Sequence, residues 1–339
     1  MRKKLATGAL AAFLVCAAAL ACGIADLYRY AHTPIRANKS QDATFTIHTG
    51  DSFQAVLSRL EAAGLVRHPL RLKIIARWKK MARNIQAGEY RISGQMTPLA
   101  LLKTLNSGKV VLHKVTIPEG YTIEQIAAIL EEKGLTGKEA FLDAASDPEF
   151  TEKLGIPADT AEGYLFPDTY RFARNAGAEK IIETMAEEMR QNIPAKWEKR
   201  AQELGLSMHQ VLTLASIIEK ETSTPRERPL ISSVFHNRLD KNMRLETDPT
   251  VIYGIQNFDG NLTRSDLNTH TPYNTYQIKG LPPGPIANPS REAIRAALYP
   301  ADTSYLYFVA KPDRTHYFSK TLNAHNQAVR KYQLSSGSP

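Results

Sequence analysis

The chain has 339 residues, which at roughly 100–200 residues per domain predicts about two globular units. Hydrophobic residues make up 43% of it and charged residues 23%, proportions that exclude a disordered, a collagen-like or a polytopic membrane protein. The 43 Lys and Arg against 34 Asp and Glu give a net charge of +9, which favours an anionic neighbour. Cys16 and Cys22 are the only cysteines. Both lie near the N-terminus, so the globular part has no thiols for a disulfide framework or a zinc site.

The N-terminal segment predicts a single membrane span over residues 5–26. Basic residues at positions 2–4 precede an uncharged stretch of about the 20 apolar residues that a helix needs to cross a bilayer. Because basic residues favour the cytoplasmic side, residues 1–4 are expected in the cytoplasm and the remainder outside the cytoplasmic membrane, in the periplasm. Two alternatives stay open. The first is a cleaved signal peptide with small residues at Ala19 and Ala21, and the second is lipidation of Cys22, although Leu20 lies one position from its usual place in a lipobox.

Residues 27–43 are predicted to link the membrane span to the first domain. The run from His32 to Asp42 contains Pro, Ser and charged residues without periodicity, as is typical of a tether. A flexible tether of about a dozen residues lets the attached domain move over only ~20 Å.

Residues 44–110 predict a small α/β subdomain. The pattern predicts a strand at 44–48, a helix that begins near Ser52, a second helix at about 70–82, a strand at 87–92 and a helix at about 98–106. This order resembles the LysM-like module of proteins that handle peptidoglycan. The second helix carries six Lys and Arg residues around Trp78. In an exported chain these charges favour a solvated face near an anionic bilayer or wall over a nucleic-acid site.

Residues 111–335 predict a larger, helix-rich α+β domain. Its predicted elements are a strand at 111–117, a helix capped by Thr122, helices at about 138–145 and 180–204 with a break at Pro194, and a hairpin of strands at 305–310 and 316–318. The overall fold class is therefore α+β, with a single N-terminal transmembrane helix, a small LysM-like subdomain and a larger helical domain. No repeat or low-complexity tract is present.

The candidate chemistry is concentrated between residues 207 and 288. The sequence lacks an HExxH motif, a GxSxG elbow and a glycine-rich phosphate loop, so we expect no metal and no cofactor. Ser207 and Gln210 have the spacing of a capping box that starts a helix. On that helix, Glu219 and Glu221 lie on opposite borders of the apolar face, where partial burial raises a carboxyl pKa as a general acid requires. Two ordinary boundary glutamates, paired with nearby arginines, would show the same spacing.

Six motifs in the second domain distinguish these possibilities. They are EGYLFPDTY at 162–170, LASIIEKE at 214–221, VFHNRL at 234–239, MRLETDPTVIYG at 243–254, YNTY at 273–276 and GLPPGPIANP at 280–289. In this order they resemble the motifs of the endolytic murein transglycosylases of the YceG-like family, over about residues 111–332. The N-terminal helix and the LysM-like unit also occupy the positions that this family gives them.

The resemblance implies an endolytic lytic transglycosylase. Such an enzyme cleaves the bond between N-acetylmuramic acid and N-acetylglucosamine inside nascent peptidoglycan strands and leaves a 1,6-anhydro end. The family's catalytic glutamate lies in the SIIEKE segment, and we assign it to Glu219 first and to Glu221 as second choice. A glycosidase normally needs two carboxylates. Here the substrate's own C6 hydroxyl replaces water, so one glutamate is expected to serve as acid and then as base.

The remaining site predictions concern a sugar-binding cleft, which needs flat apolar faces together with amide and hydroxyl groups. The candidate substrate-binding residues are Glu162, Tyr164, Asp168, Arg238, Thr247, Asp248, Tyr273, Asn274, Thr275 and Tyr276. Several of them have structural alternatives. Asp248 with Pro249 and Asn288 with Pro289 are each typical of a helix cap followed by the first helical residue. Arg238 could pair with a catalytic-site carboxylate or with the peptide stem of the substrate, or equally form a surface salt bridge.

Two other functions remain as hypotheses beside the lytic enzyme. A non-catalytic scaffold would bind peptidoglycan and recruit synthetic enzymes, and a lysozyme-like hydrolase would leave reducing muramic ends. Expected partners are peptidoglycan strands, the membrane through its single span, and peptidoglycan synthases and division proteins. Nucleic acid is not expected as a partner. The family also suggests that the enzyme terminates growing strands near the membrane.

Overall fold

The computed structural model describes residues 2–35, 42–48, 50–174 and 176–334. The chain is a mixed α+β protein, about half of it helical, which confirms the predicted class. Two compact units divide it. The first contains Met1–His113 and Ala173–Asn175, and the second contains Lys114–Phe172 and Ala176–Pro339. Within the described residues, β-structure is confined to three two-stranded sheets.

The first unit combines one small sheet with helices. Its elements are α1 (Arg2–His32), β1 (Ala43–Ile47), α2 (Phe53–Ala62), α3 (Pro69–Trp78), β2 (Gly88–Ile92) and α4 (Pro98–Ser107). β1 pairs antiparallel with β2, and Phe45 lies opposite Tyr90. Both rings are buried against α2, α3 and α4, so the alternating residues of the two strands form one side of the core. The predicted order of strands and helices is confirmed for this segment.

α1 is the candidate membrane helix. Its segment Leu10–His32 is long and apolar enough to cross a membrane. The helix continues six residues beyond Asp26, to His32. Ala31 and Ile35 are buried in the core of the first unit, and the Ile35 backbone N–H donates a 2.6 Å hydrogen bond to the Met96 carbonyl. The first residues of the predicted 27–43 linker are thus helical, and residues 36–41 of that linker lie outside the described part of the chain.

The elements after α4 build most of the second unit. They are β3 (Leu112–Thr116), α5 (Ile123–Glu132), α6 (Lys138–Ala145), α7 (Pro148–Lys153), β4 (Thr169–Ala173), α8 (Ala178–Asn192), α9 (Ala195–Glu203), α10 (Met208–Glu221), α11 (Arg228–Asp240), α12 (Asp248–Tyr253), α13 (Arg264–Asn268), α14 (Arg291–Leu298), β5 (Tyr307–Ala310), β6 (His316–Ser319) and α15 (Leu322–Val329). The predicted break at Pro194 is confirmed between α8 and α9. The predicted hairpin is confirmed as well, because β5 pairs antiparallel with β6.

α10 is the central helix of the second unit. Its predicted capping box is confirmed, since the Ser207 hydroxyl accepts from the Gln210 N–H at 3.2 Å and the Gln210 side chain accepts from the Ser207 N–H at 2.9 Å. Residues 211–218 are all buried, and α11 and α14 pack against the helix. The buried surface is therefore wider than the single apolar arc that the sequence predicts. Ser216 fits this setting because its hydroxyl accepts from the Ile286 N–H at 3.0 Å.

Candidate active site

Glu219 lies near the C-terminal end of α10, and hydrogen-bond donors enclose its carboxylate. Its side chain is only 6% exposed. The Arg228 guanidinium donates to Oε1 at 2.8 Å, while the backbone N–H of Ser290 donates to Oε2 at 2.9 Å. The Ser290 hydroxyl donates to the same Oε2. These three donors, one of them cationic, form an arrangement that stabilises a carboxylate.

The loop before α5 passes close to this ion pair. The Glu119 carboxylate lies 3.5 Å from the Arg228 guanidinium, and burial together with the negative charge of Glu219 raises the Glu119 pKa. Gly120 has a φ of +71°, and a Cβ at this position would lie 3.3 Å from the Glu219 Cγ. Glycine therefore allows both the left-handed turn and the close approach.

Glu221 ends α10 and differs from Glu219 in its partners. Its side chain is half-buried, and the Thr247 hydroxyl donates a hydrogen bond to its Oε1. Burial raises the pKa of Glu221 to about 7, with a further upward contribution from the charge of Asp248. A large fraction of the molecules therefore carries a proton on Glu221 near neutral pH.

Asp248 and Tyr276 border the Glu221 side chain. The Tyr276 hydroxyl donates to Asp248 Oδ1 at 2.7 Å. Burial, and secondly the Asp248 carboxylate, raises the pKa of Tyr276, so its hydroxyl stays protonated and remains a donor. The prediction that Asp248 caps the following helix is wrong by one residue. Thr247 occupies the N-cap, and Asp248 is exposed in the first turn of α12, where a negative charge is favourable.

The YNTY run at 273–276 divides into two kinds of residue. Tyr273 and Tyr276 are half-buried, whereas Asn274 and Thr275 are completely buried. The Asn274 amide donates to the backbone carbonyls of Asp266 and Leu267 in α13 and of Thr269 just after it, and the Thr275 hydroxyl accepts from the Thr247 N–H at 3.1 Å. We therefore revise the prediction that Asn274 and Thr275 bind substrate, because the Asn274 amide holds the end of α13 and the Thr275 hydroxyl holds the backbone of Thr247, the partner of Glu221.

Arg238 is also a backbone-holding residue. Its guanidinium is buried and donates to the carbonyls of Arg244, Leu245 and Leu306 at 2.7–3.0 Å. It pairs with Glu246 at 3.1 Å as well. The predicted salt bridge is therefore present, with the exposed Glu246, but the guanidinium itself is buried rather than at the surface, and a contact with substrate stays a prediction. Arg238 joins the loop before α12 to the strand region near Leu306.

Glu162 is the centre of a buried polar cluster. It is 2% exposed, and its carboxyl accepts from the Ile123 N–H at 3.2 Å, the Asn288 amide at 3.0 Å and the Tyr253 hydroxyl at 3.4 Å. Burial raises the pKa of Glu162 to about 8. The cluster connects four separate segments of the second unit, which favours a structural role over the predicted contact with substrate.

The prediction that Asn288 caps the helix after it is wrong. Ser290 is the N-cap of α14, and its hydroxyl accepts from the Ala293 N–H at 3.2 Å. The Asn288 amide instead donates to the Tyr121 carbonyl and to Glu162, and its oxygen accepts from the Leu165 N–H at 2.8 Å. Asn288 therefore links the GLPPGPIANP segment to the EGYLFPDTY segment.

Tyr164 and Asp168 have separate positions. The Tyr164 hydroxyl lies 2.7 Å from His209 Nδ1, and His209 Nε2 lies 2.7 Å from the Pro283 carbonyl. A carbonyl only accepts, so Nε2 carries a proton, and in the neutral imidazole Tyr164 then donates to Nδ1. Asp168 is exposed at the start of β4, where its side chain accepts from Thr169 and its carbonyl accepts from Ile117. These contacts do not involve either glutamate of α10.

The raised pKa of Glu162 predicts a pH dependence of stability. Between about pH 4.5 and 8 the folded protein keeps a proton that the unfolded chain has released, so the free energy of unfolding falls as pH rises through this window. Glu162→Gln removes this contribution. The free energy of unfolding of wild type should therefore fall relative to that of Glu162→Gln as pH rises, by up to about 1.4 kcal/mol per pH unit. Urea unfolding of both proteins from pH 5 to 8 measures this change. Glu139→Gln, at an exposed position of α6, is the control. Parallel pH curves for wild type and Glu162→Gln would contradict the prediction.

The structure thus brings Glu221, Thr247, Asp248 and Tyr276 together and places Glu219 in an adjoining ion pair. Sequence reasoning did not single out Ser290, Glu119 or His209. Only Ser290 has a local signal, because serine just before a helical pattern is a favoured cap. Among the described residues, no group of three or more His, Cys, Asp or Glu is placed to hold a metal ion.

Comparison with known proteins places the chain in a family. The model of the YceG-like family matches residues 45–331. The chain is 33% identical over 315 residues to the endolytic murein transglycosylase of Bacillus subtilis, covering 88% of this chain and 87% of that protein. It is 32% identical over 356 residues to the protein of the same name from Streptococcus pneumoniae, covering 94% of this chain and 64% of that one.

The crystal structure of a yceG-like protein from Listeria monocytogenes is similar to this structure, with a TM-score of 0.59 and 36% sequence identity. The match covers 86% of this chain and 100% of that chain. The chain belongs to the YceG-like family.

Proposed function

We propose that this chain is a peptidoglycan lytic transglycosylase that cuts inside glycan strands, with Glu221 as its general acid and base. Two relatives that cover most of the chain are named endolytic murein transglycosylases. The observation that carries the assignment is the half-buried Glu221 carboxyl, whose pKa of about 7 lets it hold a proton at neutral pH. A lyase of this kind uses a positioned acid and the substrate's own hydroxyl.

The geometry favours Glu221 over Glu219, the first choice from the sequence. A general acid needs a transferable proton and access to the bond that it cleaves. The oxygens of Glu219 accept from Arg228 and Ser290, and its side chain is almost fully covered. Glu221 accepts one bond, from Thr247, and remains partly exposed beside Asp248. Glu219 is better suited to fixing the end of α10, and thereby the backbone of Glu221.

The proposed reaction breaks one bond and forms one. Glu221 donates its proton to the glycosidic oxygen, and the bond from C1 of the muramic residue to that oxygen breaks. The C6 hydroxyl of the same sugar attacks C1, and the Glu221 carboxylate removes the hydroxyl proton. The products are a 1,6-anhydro muramic end and a free 4-hydroxyl on N-acetylglucosamine, and no water is consumed. The Asp248 carboxylate, held by Tyr276, would offset positive charge that develops at C1.

The proposed location follows from α1. We propose that the helix anchors the protein in the cytoplasmic membrane with residues 1–4 in the cytoplasm and both units outside it. Residues 44–110 then act as a LysM-like module that binds glycan, and the catalytic unit terminates strand growth near the membrane. Synthases and division proteins are the expected neighbours in this role.

Product analysis tests the proposed reaction. Purified protein is incubated with uncrosslinked glycan strands in H₂¹⁸O, and the fragments are analysed by mass spectrometry. We expect anhydro-ended fragments without ¹⁸O. Reducing muramic ends with incorporated ¹⁸O would identify a hydrolase instead. Binding to strands without any fragments after long incubation would identify a scaffold.

The pKa of Glu221 predicts the pH dependence of the rate. Because the acid must be protonated, kcat/KM should be level below pH 7 and fall about tenfold per pH unit above it. The Thr247 hydrogen bond lowers the Glu221 pKa, since it stabilises the ionised form. Thr247→Val should therefore move the falling limb to higher pH. If kcat/KM of Thr247→Val falls over the same pH range as that of wild type, the fall in rate does not report the ionisation of Glu221.

A further inference from the structure

A cavity of about 340 Å³ lies in the first unit beside the C-terminal end of α1. Three arginines line it, namely Arg29 of α1, Arg67 of the loop before α3, and Arg71 of α3. Tyr30 and Thr33 add hydroxyl groups to the lining. Nothing in the proposed reaction uses this cavity, which belongs to a different unit from Glu221.

The charges in the cavity favour an anion. The only carboxylate of the lining is Asp26, which pairs with Arg71 at 3.1 Å, so the three arginines outnumber it. The Arg71 guanidinium also lies 5.8 Å from the centre of the Tyr30 ring, which fixes its position by a cation–π contact. Guanidinium groups bind phosphate oxygens in pairs of parallel hydrogen bonds, so a phosphoryl group is the anion that this lining fits best.

The position of the cavity along α1 indicates where the phosphoryl group comes from. The uncharged stretch of α1 ends at residue 25, after about the 20 residues that the hydrocarbon core requires. At about 1.5 Å per residue, residues 26–30 then occupy the next ~7 Å, which is about the depth of the headgroup layer on one side of a bilayer. Tyr28 and Tyr30 agree with this level, because tyrosine is enriched at the membrane–water interface.

We propose that this cavity binds the phosphoryl headgroup of an anionic membrane lipid. Arg29 and Arg67 contact the phosphate, and Arg71 supports it from the Asp26 and Tyr30 side. The acyl or prenyl chain of the lipid remains in the bilayer beside α1. The site rests on the proposed membrane anchor and is independent of the proposed catalytic residues. Phosphatidylglycerol and a polyprenyl diphosphate share the required chemistry.

The test uses the full-length chain in two steps. Flotation with neutral phosphatidylcholine vesicles first measures the membrane anchor alone. Native mass spectrometry of the protein in detergent then measures binding of phosphatidylglycerol, a polyprenyl diphosphate, phosphatidylcholine and inorganic phosphate. The test variant is Arg29→Gln with Arg67→Gln. The control is Arg77→Gln with Arg83→Gln, which removes the same charge from exposed positions outside the cavity lining.

We expect wild type to float and to bind one molecule of at least one anionic lipid in preference to phosphatidylcholine. The Arg29/Arg67 variant should bind it at least tenfold more weakly at an unchanged melting temperature, and the Arg77/Arg83 control should bind like wild type. Which anionic lipid binds identifies the source of the headgroup.

Three results would overturn the proposed site. Both variants could lose lipid binding equally, inorganic phosphate could bind as tightly as lipid, or wild type could show no preference over phosphatidylcholine. Failure of wild type to float would overturn the anchor. If the Arg29/Arg67 variant melts at a lower temperature, a second variant combines Arg29→Gln with Arg67→Lys and so keeps the charge at position 67. It must bind the anionic lipid more tightly than the Arg29/Arg67 variant does.

Discussion

A Glu221→Gln protein should form anhydro-ended products about 10²–10⁴-fold more slowly than wild type. The amide has no proton of suitable acidity for the glycosidic oxygen, and a general acid contributes a factor of this size. The fold should remain, because the amide oxygen of Gln can still accept from the Thr247 hydroxyl. The measurement is the initial rate of product formation from uncrosslinked strands, with the melting temperature recorded in parallel.

Glu219→Gln is the matched control, two residues away on the same helix. Both oxygens of Glu219 face donors, so a Gln amide group must point its own N–H₂ toward Arg228 or Ser290. We expect a loss of about 1–3 kcal/mol in stability, and a rate per folded molecule that falls far less than in Glu221→Gln. The reverse order of rates, at equal folded fractions, would return the catalytic role to Glu219.

Arg228→Met should lower the free energy of unfolding of the second unit by about 3–5 kcal/mol. Arg228 is buried, with a side chain 8% exposed, and its removal leaves the Glu219 carboxylate enclosed without its cation. For a unit of this size, the loss corresponds to a fall in melting temperature of roughly 10 °C. Differential scanning calorimetry measures it directly.

Arg226→Met is the control for this prediction, because Arg226 is exposed and lies only two residues before Arg228. It should melt within about 2 °C of wild type, as is usual for a surface substitution. The double variant with Arg228→Met and Glu219→Leu should regain part of the lost stability, since no enclosed carboxylate is then left without its cation, and Glu119 is exposed to solvent. If Arg228→Met melts like the Arg226 control, the ion pair does not support the end of α10.

The features that could be predicted from the sequence are those that depend on neighbouring residues. The capping box of Ser207 and Gln210 spans four residues, and the helix break at Pro194 depends on one. The border position of both glutamates follows from helical periodicity alone, and in the structure the exposed Lys220 separates the almost fully covered side chain of Glu219 from the half-buried Glu221.

The choice between the two glutamates could not be predicted in this way. It depends on Ser290, 71 residues from Glu219, and on Thr247, 26 residues from Glu221. The amide of Asn288 likewise binds the carbonyl of Tyr121, 167 residues away. A polar residue inside a conspicuous motif can therefore bind backbone rather than substrate, and periodicity does not contain the information to tell the two apart.

The continuity of α1 with the first unit has a mechanical consequence. The helix has 31 residues and is about 46 Å long, roughly 16 Å more than the hydrocarbon core of a bilayer. Ala31 and Ile35 are buried in the core of the first unit, so the C-terminal end of the helix is fixed to that unit without a flexible linker between them. With the proposed membrane anchor, helix length would set the distance between the first unit and the bilayer, and a glycan segment bound to that unit would be held at a constant distance from the membrane.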